Sequence, residues 1–128
     1  MRFFAILIGI VFVSLITPAF AEMNIDVVVD GLNNPWEMVF ASNGDIYFSE
    51  RDGRIWKIES FGEAKVIQTF PKSGTVEGGT LGLALHPNFE ENKKIYVYQT
   101  NLELEFFQNK VFRFTVDGDE LIDKQTVI

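Results

Sequence analysis

A short pattern of apolar and polar residues occurs twice in this 128-residue chain and constrains its fold more than any other feature. Residues 45–48 (DIYF) correspond to residues 94–97 (KIYV), and residues 54–58 (RIWKI) correspond to residues 110–114 (KVFRF). The offsets are 49 and 56 residues, and they differ because the second copy has a longer connection. A unit repeated at roughly 50 residues is typical of propellers and related arrays, because one such unit cannot bury its apolar face alone.

Each copy contains four stretches with the composition of a β-strand, separated by clusters of Gly, Asn and Asp. The pair Asn43-Gly44 predicts a hairpin, since Asn-Gly suits a two-residue turn with positive φ at both central residues. The predicted strands are residues 36–40, 46–50, 54–58 and 65–70 in the first copy and residues 81–85, 95–100, 110–116 and 121–128 in the second.

This arrangement predicts an all-β fold, specifically a β-propeller represented by about two four-stranded blades, with an irregular β-sandwich as the alternative. Residues 25–29 are rich in valine and predict a further strand, and residues 101–109 are predicted to form a polar and aromatic connection. Because propellers typically use ~4–8 blades, we expect the two blades to belong to a longer protein or to an assembly of copies.

The first residues have the layout of a signal peptide. Arg2 precedes an apolar stretch at residues 3–16, and Ala19-Phe20-Ala21 has the small-x-small pattern of a cleavage site. We therefore predict a signal peptide at residues 1–21, the propeller part at residues 22–128, and export to the periplasm or the extracellular space. The alternative is a membrane anchor, because the apolar stretch nearly reaches the ~18 residues that a spanning helix needs.

Composition excludes several classes of function. The chain has 18 acidic and 11 basic residues and a formal net charge of −7, which disfavours nucleic acid and anionic membranes as partners. It has no cysteine, so thiol catalysis and cysteine-based zinc sites are excluded, and His86 is its single histidine, so zinc sites of several histidines are excluded too. Thirteen Phe and two Trp can build a core without disulfides, since each ring buries ~150–250 Å².

A glycine-rich bend leads into an apolar strand at residues 77–89 (EGGTLGLALHPNF). Glycines let the backbone adopt positive φ and approach a neighbour or a ligand closely. Pro87 lacks an amide hydrogen and favours extended geometry at His86, so regular strand pairing is predicted to end there. A buried strand entered through such a bend can present polar groups to a ligand, although a purely structural turn is the commoner case.

Four motifs in this order resemble the N-terminal part of one family, the soluble PQQ-dependent glucose/sorbosone dehydrogenases, or aldose sugar dehydrogenases. They are Asn34-Pro35-Trp36, residues 43–46 (NGDI), residues 49–55 (SERDGRI) and residues 77–89, and the resemblance extends over about residues 27–116. It implies an exported six-bladed propeller that oxidises the C1 hydroxyl of an aldose to the lactone, using PQQ, calcium and an external electron acceptor. In such proteins a histidine acts as general base while the quinone accepts hydride.

The resemblance assigns no catalytic or metal-binding residue to these 128 residues. The family's catalytic histidine lies in a His-x-x-G motif that this sequence does not contain, so we expect the chain alone to be inactive. His86 matches instead the histidine of the H-P-x-F motif, a structural position.

Glu77 occupies a position where the family typically has a glutamine beside the quinone, so we predict a cofactor contact there. A carboxylate would repel the anionic quinone unless it is protonated or paired with a cation. Glu77 therefore indicates a different cofactor geometry, a relative that has lost PQQ, or simply a solvated carboxylate. A non-catalytic propeller that binds another molecule is the alternative function.

Two weaker candidates complete the sequence predictions. Glu50 and Arg51 are predicted to be rim charges that pair across strands. Phe106 and Phe107 are predicted to form an exposed recognition patch, a lid over the propeller face, or ordinary packing.

Overall fold

The computed structural model describes residues 23–60, 62–72 and 77–128. It contains two four-stranded antiparallel sheets, each a meander in chain order, as the sequence repeat predicts. The predicted signal peptide lies outside the described residues.

Sheet 1 and sheet 2 have matching topology. Sheet 1 consists of β1 (Pro35–Phe40), β2 (Ile46–Glu50), β3 (Arg54–Ile58) and β4 (Ala64–Thr69), and sheet 2 consists of β5 (Thr80–Leu85), β6 (Lys94–Glu103), β7 (Phe106–Asp117) and β8 (Glu120–Thr126). A single helical turn, α1 (Phe89–Asn92), lies in the loop between β5 and β6. The alternation of apolar and polar residues therefore located all eight strands, with shifts at some of their ends.

The core lies between the two sheets. Aromatic rings meet across the boundary: Tyr47 contacts Phe89 edge-on at 5.6 Å between centroids, and Phe70 lies 5.7 Å from Phe114. Each fully buried side chain of this size contributes about 1.5–3 kcal/mol. The other buried members of the core are Ala41, Ile55, Ile67, Leu83, Ile95, Val97, Phe112, Val116 and Leu121.

Residues 25–29 do not form the predicted strand. Within the described residues, no strand pairing includes them, and Ile25, Val27 and Val28 are largely exposed. Branched side chains favour extended backbone, but a strand also needs a neighbour for its hydrogen bonds and a surface for its side chains. Here the structure supplies neither.

Residues 101–109 are not the predicted connection but the end of a long hairpin. The pairing of β6 with β7 continues from Thr100↔Asn109 to Glu103↔Phe106. The turn at Asn43-Gly44 also differs from the prediction, because of these two residues only Gly44 has positive φ, at 92°. The Ala41 amide donates to the carbonyl of Asp45 at 2.9 Å, so at least three residues lie in the loop and it is longer than a two-residue turn.

Candidate functional site

Backbone hydrogen bonds connect the glycine-rich bend to both sheets. The Thr80 amide donates to the carbonyl of Arg51 at 3.1 Å, and the Thr100 amide donates to the carbonyl of Gly79 at 2.9 Å. Gly79 has a φ of +151°, and a Cβ there would lie 2.2 Å from the Arg51 carbonyl oxygen. The close approach that the sequence predicted is therefore to protein backbone, and it fixes residues 77–80 between the β2–β3 turn and β6.

A cavity of about 380 Å³ opens beside this bend. The hydroxyl of Thr100 donates to Asn109 Oδ1 at 2.9 Å, which orients the Asn109 amide so that its Nδ2 remains available as a donor. The cavity thus combines aromatic surface with hydroxyl, amide and carboxylate groups, as ligand sites generally do. Its lining residues are Glu77, Gly78, Leu81, Tyr98, Thr100, Phe107 and Asn109.

Glu77 lines this cavity, and its side chain is exposed. None of the described residues that line the cavity is basic. The cofactor contact predicted for Glu77 stays a prediction, but the residue is positioned to touch whatever enters. Tyr98, Thr100 and Asn109 were not predicted to be site residues, because strand alternation indicates only the face on which a side chain lies. Phe107 was singled out by the sequence, and it lines the cavity.

Glu50 is a buried carboxylate and not the rim charge predicted from the sequence. Its side chain is fully buried, and its Oε1 accepts a hydrogen bond from the Asn33 amide. Its Oε2 accepts from Trp56 Nε1 at 2.7 Å and forms an ion pair with Arg54 Nε at 2.6 Å. A buried charge is tolerated only with such partners. Glu50 therefore fixes the β2–β3 turn whose Arg51 carbonyl holds the glycine-rich bend.

His86 lies in the loop before α1 and does not line the cavity beside Glu77. Its Nδ1 is 3.0 Å from the Asn88 amide and 2.8 Å from Asn92 Nδ2. Two donors at one ring nitrogen make Nδ1 the acceptor and leave the proton on Nε2. The ring also stacks on Tyr96 at 6.4 Å, so these contacts organise the loop, as the Pro-flanked histidine predicted.

In residues 23–60, 62–72 and 77–128, no three His, Cys, Asp or Glu residues converge in a way that could hold a metal ion. No helix in the part of the chain that the structure describes has the length and apolarity needed to cross a membrane.

The two four-stranded sheets are blades of a β-propeller protein, and a glycine-rich bend beside a polar and aromatic cavity joins them. Residues 32–128 match the glucose/sorbosone dehydrogenase family, and the chain belongs to that family.

Similar proteins are consistent with this assignment. The PQQ-bound aldose sugar dehydrogenase from Streptomyces coelicolor is 28% identical with a TM-score of 0.68, and the match covers 80% of this chain and 32% of that chain. An oxidoreductase of glucose dehydrogenase type from Thermus thermophilus is 32% identical with a TM-score of 0.72, covering 80% of this chain and 31% of that one.

Curated relatives are longer than this chain as well. An uncharacterized protein of Synechocystis sp. is 32% identical over 110 residues, which are 78% of this chain and 27% of that protein. The Hedgehog-interacting protein of Mus musculus is 34% identical over 88 residues, 59% of this chain and 12% of that protein. The chain thus spans between about an eighth and a third of the relatives it matches.

Proposed function

We propose that this chain is the N-terminal part of an exported PQQ-dependent aldose dehydrogenase. The observation that carries the proposal is the cavity beside the glycine-rich bend, in a chain whose fold matches a PQQ-bound aldose sugar dehydrogenase over 80% of its length. The whole enzyme would oxidise the C1 hydroxyl of an aldose to the lactone and pass electrons to an external acceptor. Calcium and export to the periplasm or extracellular space form part of the same proposal.

The lining residues fit part of the cofactor. When bound, PQQ supplies an acceptor for the hydride of the sugar. The rings of Tyr98 and Phe107 offer flat apolar surface suited to a planar ring system, and Asn109 offers an amide donor. The cations that would pair with the quinone carboxylates are not among the lining residues, so they are expected from other parts of the protein.

Glu77 sets the charge of the cavity lining. Because like charges repel, a carboxylate there weakens the binding of an anionic ligand, and an amide of the same shape relieves the repulsion. A neutral polyhydroxy sugar is not repelled, and a carboxylate accepts hydrogen bonds from its hydroxyls. Glu77 is thus better suited to the side of the site where a sugar lies than to the carboxylates of the quinone.

The test uses the native protein that carries this chain, supplied with PQQ and calcium. We expect aldose-dependent reduction of an artificial dye, and we expect the 128-residue chain alone to give none. Glu77→Gln should raise the affinity for PQQ, while Glu91→Gln on α1 should leave it unchanged. Failure of the native protein to reduce the dye with any aldose would overturn the proposal.

A second candidate is a binding protein without redox chemistry. It is favoured by the similarity to the Hedgehog-interacting protein, whose name describes binding to another protein, and by the carboxylate of Glu77 in a cavity whose described lining residues include no basic side chain. Ligands that bind the native state raise its stability, so thermal unfolding separates the candidates. An unchanged melting temperature with PQQ and calcium, together with no dye reduction, would favour the binding protein.

A further inference from the structure

Two buried polar side chains lie opposite each other in sheet 2, next to the glycine-rich bend. Thr80, the first residue of β5, pairs with Gln99 of β6 in the antiparallel ladder. The exposed fractions of the two residues are 0% and 1%. Within the described residues, neither Thr80 Oγ1 nor Gln99 Oε1 has a hydrogen-bond partner. Buried polar atoms without a partner are rare in native proteins, because such an atom loses its bonds to water and gains none in return.

Both side chains point into the space between the two sheets. Residues that pair across an antiparallel ladder lie on one face, and on β6 the face of Gln99 is also that of the core residue Val97. Sheet 1 closes this space from the other side, since the buried hydroxyl of Ser49 donates to the carbonyl of Leu81, the residue after Thr80, at 2.6 Å. The described residues alone bury both atoms, so their burial does not depend on parts of the protein outside this chain.

The sequence repeat supplies a direct comparison for Gln99. With the offset of 49 residues, Gln99 corresponds to Glu50 of sheet 1, and each lies where the register of its ladder shifts. Glu50 has several N–H partners: the amide of Asn33, Trp56 Nε1 at 2.7 Å and Arg54 Nε at 2.6 Å. A buried acceptor at this position of a blade therefore can be fully paired.

The donors that serve Glu50 are replaced in sheet 2. With the offset of 56 residues, Trp56 corresponds to Phe112, which has no N–H group. Arg54 corresponds to Lys110, whose ammonium pairs with Glu103 at 2.6 Å. A neutral amide in place of the carboxylate lowers the cost of burial, but its carbonyl oxygen still needs a donor.

A water molecule is the ligand that suits both atoms. The side-chain carbonyl oxygen of Gln99 only accepts hydrogen bonds, whereas the hydroxyl of Thr80 both donates and accepts. One water can donate to Gln99 Oε1 and bond the Thr80 hydroxyl at the same time, and buried waters usually make such bonds to two to four polar groups. Calcium is unsuited to this place, because it takes about six to eight oxygen ligands.

We propose that Thr80 and Gln99 hold an internal water molecule at the interface between the two sheets. The water would stabilise the residues that hold the glycine-rich bend. The Thr80 amide donates to the Arg51 carbonyl, and Thr100, which follows Gln99, donates its amide to the Gly79 carbonyl. The inference is independent of the proposed function, since it needs neither a quinone nor a sugar.

The first test is a high-resolution crystal structure of the native protein that carries this chain. We expect one ordered water within about 2.7–3.2 Å of both Thr80 Oγ1 and Gln99 Oε1. The same water should be absent from the structure of the Gln99→Met variant. A direct hydrogen bond between the two side chains, a bond from another protein group to Gln99 Oε1, or no water at this place would overturn the site. So would a water that persists in Gln99→Met.

A double-mutant cycle then tests whether the water links the two residues. Thr80→Val and Gln99→Met each keep roughly the size of the side chain and remove its polar atom, so each should lower the melting temperature. The double variant should lose less than the sum of the two losses, because the water bonds poorly once either partner is gone.

The control cycle combines Gln99→Met with Thr115→Val. Thr115 pairs with Lys94 at the other end of β6, so the two losses should add. Additive losses for Thr80→Val and Gln99→Met would show that no water connects these residues, and they would overturn the proposal.

Discussion

The carbonyl oxygen of Arg51 occupies the position that a side chain at Gly79 would need. It lies 2.2 Å from the site of a Cβ on Gly79, and it accepts the amide of Thr80 at 3.1 Å. The two sheets are therefore joined at the edge of the cavity by a contact between two main chains, and a residue larger than glycine must separate them.

Gly79→Ala should lower the free energy of unfolding by about 2 kcal/mol or more, because it adds a backbone clash to an unfavourable φ. Gly118→Ala is the matched control, since Gly118 also has positive φ but nothing lies within 4 Å of its Cβ position. That control should cost only about 1–2 kcal/mol. Urea unfolding of both variants measures the difference, and equal losses would show that the contact with Arg51 is unimportant.

Glu50→Gln should destabilise the fold by about 2 kcal/mol, because it leaves Arg54 without its charged partner and weakens the bond from Trp56. Glu103→Gln removes an exposed partner of Lys110, and it should cost only about 0–1 kcal/mol. Fluorescence of Trp56 during unfolding reports on the buried cluster directly. A Glu50→Gln variant as stable as the Glu103→Gln variant would contradict the structural role of Glu50.

Tyr47 should make the fold sensitive to alkaline pH. Burial, followed by the nearby charge of Asp45, raises the pKa of Tyr47 far above its ordinary value of 10.0. The folded state therefore holds the phenolic proton more tightly than the unfolded chain does. The resulting stability is fully present below pH 10.0 and is lost progressively as the pH rises above it.

Urea midpoints measured at increasing alkaline pH check this expectation. In Tyr47→Phe the midpoint should fall less steeply above pH 10.0, at a cost of about 1 kcal/mol near neutrality from the lost hydroxyl. An unchanged slope in the variant would mean that other groups control alkaline unfolding.

His86→Ala should reduce stability by about 1–2 kcal/mol, because Asn88 and Asn92 lose their acceptor. If the proposed function holds, the native protein with this change should retain kcat within a few-fold, since His86 does not line the cavity beside Glu77. Loss of turnover in a variant of normal stability would instead place His86 in the chemistry.

Local sequence patterns predicted the strands of both sheets well, but they predicted neither the end of the long hairpin nor the burial of Glu50. The observed bounds of β2 and β3 equal the predicted ones. Apolar residues that alternate along a strand lie on one face, and burial of that face in the core holds the strand in place. The end of the hairpin of β6 and β7 was missed because Leu104 and Glu105 carry no turn signal. The burial of Glu50 was missed because Asn33 and Trp56 become its partners only after β2 and β3 pair and the chain before β1 folds over them.

The candidate site could be predicted only in part. Glu77 was located through its motif, and the structure places it at a cavity, but the other walls come from β6 and β7 and depend on register. The register of this hairpin follows from the position of its turn, and Leu104 and Glu105, which form the turn, carry no turn signal in the sequence.

The two sheets meet through unlike faces, so their interface is head-to-tail. Tyr47 and Ile55 of sheet 1 belong to the core, whereas in sheet 2 the core residues Ile95 and Val97 correspond to Ile46 and Phe48. On the equivalent face of sheet 1, Phe48 is buried, whereas Trp36, Met38 and Phe40 are exposed within the described residues. A heterologous contact of this kind repeats in one rotational sense and ends only when a ring closes. Further blades can therefore pack on either side in one orientation only, because a blade in the opposite orientation has no complementary surface to contact.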